Sequence, residues 1–315
     1  MRTYLTKRLL YLVPVMLGVT FFTFMMIYFT PGDPAEIILY KQGVEEITPE
    51  MLADKREALG LEGSVFYRYF NWLGRIARGD FGYSFNNGQP VFHEIVSRIP
   101  ATVELAVSGL AVMFIIAIPL GILAALFPRT IWDHGSRFIA LGGASIPTFY
   151  LGLLLIHYVA VPYDFFPTMG RDGIRNLLLP SITLGFGMAA TYARLIRSGM
   201  LEVLEQDYIR SARARGLREV TVIISHALRN ALIPLITIFG LTVGGLLGGT
   251  LVVEQVFAYP GLGRMAIRAI FDRDIPVIQG YVLLMSVTFV AINLLVDISY
   301  RLVDPRVRLG KNGEV

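Results

Sequence analysis

Long apolar stretches dominate the chain and are separated by polar ones of unequal length. A helix crossing a hydrocarbon core needs about 20 mostly apolar residues. Six stretches reach that length: 9–30, 102–127, 138–162, 176–196, 233–255 and 276–299. The fourth is the least apolar, because it holds Pro180 and ends in Arg194 and Arg197. The first follows Arg2, Lys7 and Arg8, as the core of a signal peptide would. Its apolar core exceeds the roughly 7–15 residues of a cleavable signal and no A-x-A site follows, so it is expected to remain as a span. The pattern predicts an all-α integral membrane protein with six transmembrane helices.

Two polar segments are too long for plain connectors. In 31–100, "TPEMLADKREAL" predicts a helix over 48–59, with Thr48 as cap, Pro49 in the first turn and Gly60 as stop. Aromatics then cluster in "FYRYFNWLGRIARGDFGYSF", either as the core of a small external subdomain or as a docking rim for an external partner. In 197–232, Met200, Leu204, Tyr208 and Ala212 share one face of a predicted helix over 200–215, and Gly216 ends it. Leu217, Val220, Ile224, Leu228 and Ala231 form the stripe of a second helix, and Pro234 opens the fifth span. Such an elbow either lies on anionic headgroups or serves as a rigid knob for a partner's groove.

Composition agrees with the pattern. The 315 residues are 54% hydrophobic and 17% charged, against roughly 25% charged in soluble domains. Cysteine is absent, which excludes disulfides and thiolate metal or redox sites. Lysine and arginine set the orientation. With the N-terminus inside, short outward loops hold only Arg171, Arg175, Arg264, Arg268 and Arg273, while 31–100 is long enough to be exempt. Both termini and the elbow are therefore expected in the cytoplasm, and 31–100 outside. The net charge of +4 bears on orientation and lipid contact, not on nucleic acid.

Candidate chemistry is sparse. In the fifth span Gly240, Gly244 and Gly248 recur four apart, as do Gly245 and Gly249. That spacing lets helices approach closely, and it also offers a smooth wall for a translocation path. Buried charge at a span centre costs roughly 2.5–3.5 kcal/mol. Glu104, Glu254 and Asp297 lie near span ends, where the cost is smaller, and are expected to serve as partly exposed interfacial anchors. His93, His134, His157 and His226 are scattered and outline no metal site. Lys7, Lys41, Lys55 and Lys311 are followed by Arg, Gln, Arg and Asn, so none fits the Lys-Ser/Thr step of a phosphate-binding loop. No H-E-x-x-H or G-x-S-x-G occurs, which argues against a membrane-embedded enzyme. The lack of a clear internal repeat argues against an ion-driven secondary transporter.

"RSARARGL" with "HALRNALIPL" resembles the cytoplasmic loop of permease subunits of ABC importers. Ser211 and Ala212 match its small pair, Gly216 its glycine and Ile233–Pro234 its end. Arg210 stands where the general pattern has Glu, and the gap from Gly216 to Pro234 is longer than usual, as in the peptide/nickel branch. "TPGDP", "GDFGYSF", "RIPATVELA", "SIPTFYLGLLL", "VEQVFAYPGLGR", "RDIPVIQG" and "VDPR", in this order, are similar to that branch along nearly the whole chain.

The resemblance implies a permease of a prokaryotic inner membrane importer for dipeptides, oligopeptides or nickel. It would work with a homologous second permease, two cytoplasmic ATPases that hold ATP and magnesium, and an external solute-binding protein; the chain itself would bind no cofactor. It further implies that an ATPase grips a coupling helix at 200–217 through Asp207, Arg210, Ser211, Ala212, Arg213, Gly216 and Leu217. Gly240, Gly244, Gly248 and Glu254 would line the path, and "AYPGLGR" would form an outer turn able to close it. The expected organisation is 1–97 as first span plus external subdomain, 98–303 as five-span core and 304–315 as cytoplasmic tail. "FFPTMG" and "AIFDRDIPVIQ" look slightly more like nickel than peptide permeases.

Overall fold

The computed structural model describes the backbone of residues 2–303 apart from Asp164, Ile233 and Pro234. The side chains of 1–12, 144, 236–237, 247–249 and 297–303 also lie outside the described residues. So do the expected tail 304–315, most of "VDPR", and Ile233–Pro234 at the loop end. The helices are α1 (Arg2–Phe29), α2 (Pro34–Lys41), α3 (Pro49–Ala58), α4 (Val65–Ile76), α5 (Val91–Leu126), α6 (Ile131–Ser145) and α7 (Thr148–Leu155). They continue as α8 (Ile174–Leu204), α9 (Asp207–Ala214), α10 (Glu219–Thr221), α11 (Arg229–Leu232), α12 (Leu235–Val256), α13 (Leu262–Asp272) and α14 (Ile275–Val303). No strand occurs among the described residues. The all-α expectation is met.

α5, α12 and α14 each contain a run long and apolar enough to cross a membrane. Two bent pairs also qualify: α1 with α2, bent by 63°, and α6 with α7, bent by 99°. The third stretch, 138–162, is therefore not one straight helix. It breaks at Ile146, whose ψ of 119° is extended, because a proline disfavours helical backbone in the residue before it and Pro147 has no N–H to give. A π-helical turn, Ile156–Ala160, then follows α7. α8 does not meet the measure of length and apolarity. Its polar positions have protein rather than lipid as neighbour: Asn176, Ser181 and Thr183 are all buried.

The chain divides into two compact units. The first comprises Met1–Pro100 and Gly261–Val290. In it Thr48 accepts a hydrogen bond from the Met51 N–H, and Ser64 one from the Tyr67 N–H, so α3 and α4 start on capping side chains. Gly60 has φ +65° just after α3, as expected of a helix stop. Val91 and Ile95 of α5 pack with Leu262, Met265 and Ala269 of α13 and Val277 of α14.

The second unit comprises Ala101–Pro260 and Ala291–Val315. Lipid tails are as apolar as leucine, so close fit rather than burial from water holds such helices together. A tight seam joins α5 and α8. A Cβ on Gly185 would lie 2.6 Å from the Gly109 carbonyl oxygen, and one on Gly121 would lie 2.7 Å from Ile196 Cβ. One cluster gathers Met113, Ile196, Met200, Ile209 and Val222; another gathers Leu105, Leu179, Phe257 and Tyr259.

Candidate functional site

The elbow is built by two helix stops in quick succession. α8 runs to Leu204, and Glu205–Gln206 break it before α9 begins at Asp207. The predicted single helix over 200–215 is thus two helices. Gln206 takes extended backbone, ψ 147°, with no side-chain cap, and α9 leaves in a new direction. Met200 stays in the core of α8, fully buried. On α9 the buried residues are Ile209 and Ala212, while Tyr208 is exposed and its hydroxyl accepts from Asn230 Nδ2 at 3.0 Å.

α9 ends as the glycine predicts. Gly216 has φ +77°, in the left-handed region. The Gly216 N–H donates to the Arg213 carbonyl at 2.9 Å and the Leu217 N–H to the Ala212 carbonyl at 3.4 Å, the paired bonds of a Schellman cap. Arg213 reaches across the turn to Glu219 through Nε at 3.2 Å and Nη2 at 2.7 Å; that hydrogen bonding raises the guanidinium pKa further. Asp207, Arg210, Ser211, Arg213, Gly216 and Leu217 form an exposed rim, and Ala212 alone of the predicted set faces inward.

After the cap, the first part of the predicted second stripe fails, while Leu228 and Ala231 do pack against the core. Val220 and Ile224 are 66% and 55% exposed, whereas Val222 and Ala227 are fully buried. The cause is helical register. Val222–Leu228 is π-helical, so its turn closes after five residues and Val222 and Ala227 fall on one face. A stripe read at 3.6 residues per turn points elsewhere.

Above the elbow lies a charge cluster that the sequence pattern did not single out. Asp133 at the start of α6 is fully buried. Its carboxylate accepts from Arg197 of α8 at 2.8 and 2.9 Å, from Arg137 at 3.0 and 3.1 Å and from the Arg129 N–H at 3.0 Å. Arg197 is two turns before the end of α8, so the cluster fixes α6 to the helix that leads into α9. Only its i,i+4 half, Asp133 and Arg137, is visible in sequence.

The residues assigned to a path are spread along α12. Gly240 and Gly244 are buried. A Cβ on Gly240 would overlap Val296 of α14, so this glycine marks a helix–helix contact. Gly248 belongs to α12, and its surroundings lie outside the described residues. Glu254 is fully buried, and Thr102 Oγ1 of α5 donates to its Oε1 at 2.7 Å. An interfacial anchor would be exposed; Glu254 is instead enclosed in the second unit. Glu104 keeps its expected half-exposed place and pairs with Arg171 at 2.7 Å. Tyr259 of "AYPGLGR" is buried beside that pair. Burial, and then the Glu104 carboxylate, pushes its phenol up to about 12, so it stays protonated.

Two family models match this chain. The binding-protein-dependent transport system inner membrane component covers residues 117–309, and the N-terminal region of such membrane components covers 1–106. The chain belongs to this permease family. A di/tripeptide transport system permease of Pseudomonas aeruginosa is 38% identical over 98% of this chain and 99% of its own length. A glutathione transport system permease of Escherichia coli is 40% identical with the same coverage. Among solved structures, the inward-facing MetNI methionine ABC transporter matches at TM-score 0.56 and 23% identity, over 68% of this chain and 98% of that one. An amino acid ABC transporter matches at TM-score 0.52 and 14% identity, over 67% and 94%. These two show a shared fold. The chain is therefore an inner-membrane ABC importer permease and not an enzyme.

In this permease three family-like motifs meet within the first unit. Asp274 of "RDIPVIQG" is buried. It accepts from the Ser84 hydroxyl and from the N–H groups of Phe85 at 3.0 Å and Asn86 at 3.3 Å, all in or next to "GDFGYSF". The neighbouring Arg273 donates to the carbonyls of Thr30, Pro31 and Gly32 in "TPGDP". As sequence these motifs carried only resemblance. Their partners lie about 190 and 240 positions away along the chain, beyond the reach of any local pattern.

Proposed function

We propose that this permease is one of two homologous subunits that form the translocation path of an ATP-driven importer of small peptides. ATP and magnesium are held by two separate cytoplasmic ATPases, and an external solute-binding protein delivers the cargo. The six apolar stretches support six spans, and the lysine and arginine distribution supports both termini inside. In that reading α8 is the fourth span, 98–303 is the transport core, and α9 faces the cytoplasm.

The observation that carries this reading is the exposed rim of α9, held at a fixed angle by the Gly216 cap and free of apolar bulk at its centre. An ATPase that seats Asp207, Arg210, Ser211, Arg213 and Leu217 in a groove moves α9 as a body. α9 is packed through Ile209 and Ala212 on the cluster that also holds Ile196 and Met200 of α8. Displacement of the rim thus reaches α8, and ATP biases the inward- and outward-facing states through its differential affinity for them.

Peptide cargo is favoured by the relatives, whose names specify di/tripeptide and glutathione transport; the nickel expectation gains no support from them. The test is a cysteine at position 211 by Ser211→Cys, which is unique in this chain. In the assembled complex it should crosslink to an ATPase subunit, and ATP should alter the yield. ATP-driven uptake of a labelled tripeptide in proteoliposomes should require all subunits. Crosslinking to lipid alone, or uptake by the isolated chain, overturns the assignment.

A further inference from the structure

The aromatic segment in 31–100 does not form the core of a detached subdomain. Its helix α4 lies along α1. Tyr69 is buried; its hydroxyl donates to the Leu17 carbonyl at 3.0 Å and shares a hydrogen bond with Thr20 Oγ1 at 3.0 Å. Tyr69 also meets Phe21 and Phe24 edge-on at 5.3 and 5.6 Å, and Phe66 stacks on Phe21 at 6.0 Å. Trp72 shares a small cleft with Thr20 and Thr23 of α1 and with Gln279 and Val282 of α14.

These contacts set a depth. At 1.5 Å per residue, Leu17 lies about 18 Å and Thr23 about 9 Å along α1 from its end at Phe29. Val282 lies about 10 Å along α14 from its start at Ile275. The two ends are level, since Arg273 binds the carbonyls of 30–32. Apart from Leu17, the contacts of α4 at Thr20, Phe21, Thr23 and Phe24 fall within roughly 15 Å of that end, the half-thickness of the hydrocarbon layer. Yet Phe66, Tyr67 and Phe70 are 58%, 66% and 65% exposed, Phe66 even where it stacks on Phe21. They continue the exposed apolar face of α1, where Phe22, Met26 and Phe29 are 70%, 72% and 75% exposed. Arg68, the charge at the apolar end, reaches back over the rings of Phe24 and Tyr28 at 5.8 and 5.9 Å, as a snorkelling arginine does.

We infer that α4 is an embedded interfacial helix, and that its Phe66–Tyr67–Phe70 face is covered by lipid acyl chains of the leaflet holding the C-terminal half of α1. The inference rests on α1 being a membrane span and not on the cargo or the ATPases. Because this chain has no cysteine, nitroxide labels attach cleanly at Tyr67→Cys and Phe70→Cys in an assembled complex with cysteine-free partner subunits. Glu62→Cys, exposed just before α4, is the aqueous reference and Met26→Cys the lipid reference. In liposomes, oxygen collisions should exceed those of a water-soluble nickel chelate at 67 and 70, as at 26, with the ratio inverted at 62. Chelate collisions at 67 and 70 equal to those at 62 overturn the inference. So do low rates of both collision partners at 67 and 70 in the assembled complex, or a fall of both when the solute-binding protein is added, either of which would mean protein covers the face. If position 26 reports lipid and uptake is intact while 67 and 70 report water, α4 fails alone and the transport reading stands.

Discussion

Gly216 and Asp133 are single positions on which the geometry of the elbow turns. At φ +77° a residue with a Cβ costs about 1–2 kcal/mol, and β-branching adds to it. Gly216→Val should therefore unwind the Schellman cap and misplace the rim of α9. The expected outcome is normal membrane abundance, ATP hydrolysis no longer stimulated by loaded binding protein, and lost uptake; wild-type uptake at equal abundance would contradict it. At Asp133→Ala the buried Arg197 guanidinium, only 19% exposed, loses its bidentate partner. Breaking a buried pair from one side costs about 3–5 kcal/mol, so the solubilised complex should melt well below wild type. Removing both charges, Asp133→Ala with Arg197→Met, should recover most of that loss. Arg137 is half exposed and its share is small. Asp274→Ala strips the acceptor from the buried Ser84 hydroxyl and the half-buried Phe85 N–H, at about 1–3 kcal/mol for the buried group, while the exposed Asn86 N–H keeps Ser84 Oγ. Limited proteolysis should then cut within residues 77–90 far faster than in wild type.

Helices were legible wherever one periodicity held. Thr48, Pro49 and Gly60 bracket α3 in sequence and in structure, because a capping side chain and a left-handed glycine act within a few residues. The glycine stop of α9 was legible for the same reason. Its beginning was not, since Glu205–Gln206 break the helix with no cap or proline to announce it. The π turn hid the buried face of Val222–Leu228, and the break at Ile146–Pro147 hid the bend in the third stretch. Register itself can be tested. Ala227→Leu adds bulk at a fully buried site and should cost about 1–3 kcal/mol by overpacking. Ile224→Ala, on the stripe that sequence alone favoured but 55% exposed, should leave the melting temperature of the complex nearly unchanged. The opposite ranking would mean that an ordinary α-helical register holds there.

Across the whole molecule, the sequence already separated what this chain does from what it must borrow. Its four lysines offer no phosphate loop, and the permease family to which it belongs is defined by a separate binding protein. What sequence could not place are the long-range partners: Arg197 for Asp133, Asp274 for 84–86, Val296 for Gly240. Each pairs positions more than 50 apart, where no local spacing constrains the contact. The same limit bears on cargo. Glu254 is tied to Thr102 and Glu104 to Arg171, so the acidic groups near the outer turn are engaged with this chain's own residues. Among the described residues no three His, Asp or Glu side chains converge at metal-ligand spacing. If the proposed path runs along α12, the binding protein of the proposed importer is then the component expected to select the cargo. Uptake by the reconstituted complex should then follow the binding protein's own affinities: unlabelled tripeptide and glutathione should suppress entry of labelled tripeptide, and free nickel ion should not. Suppression by nickel alone, at concentrations that leave ATP hydrolysis intact, would return the metal reading to first place.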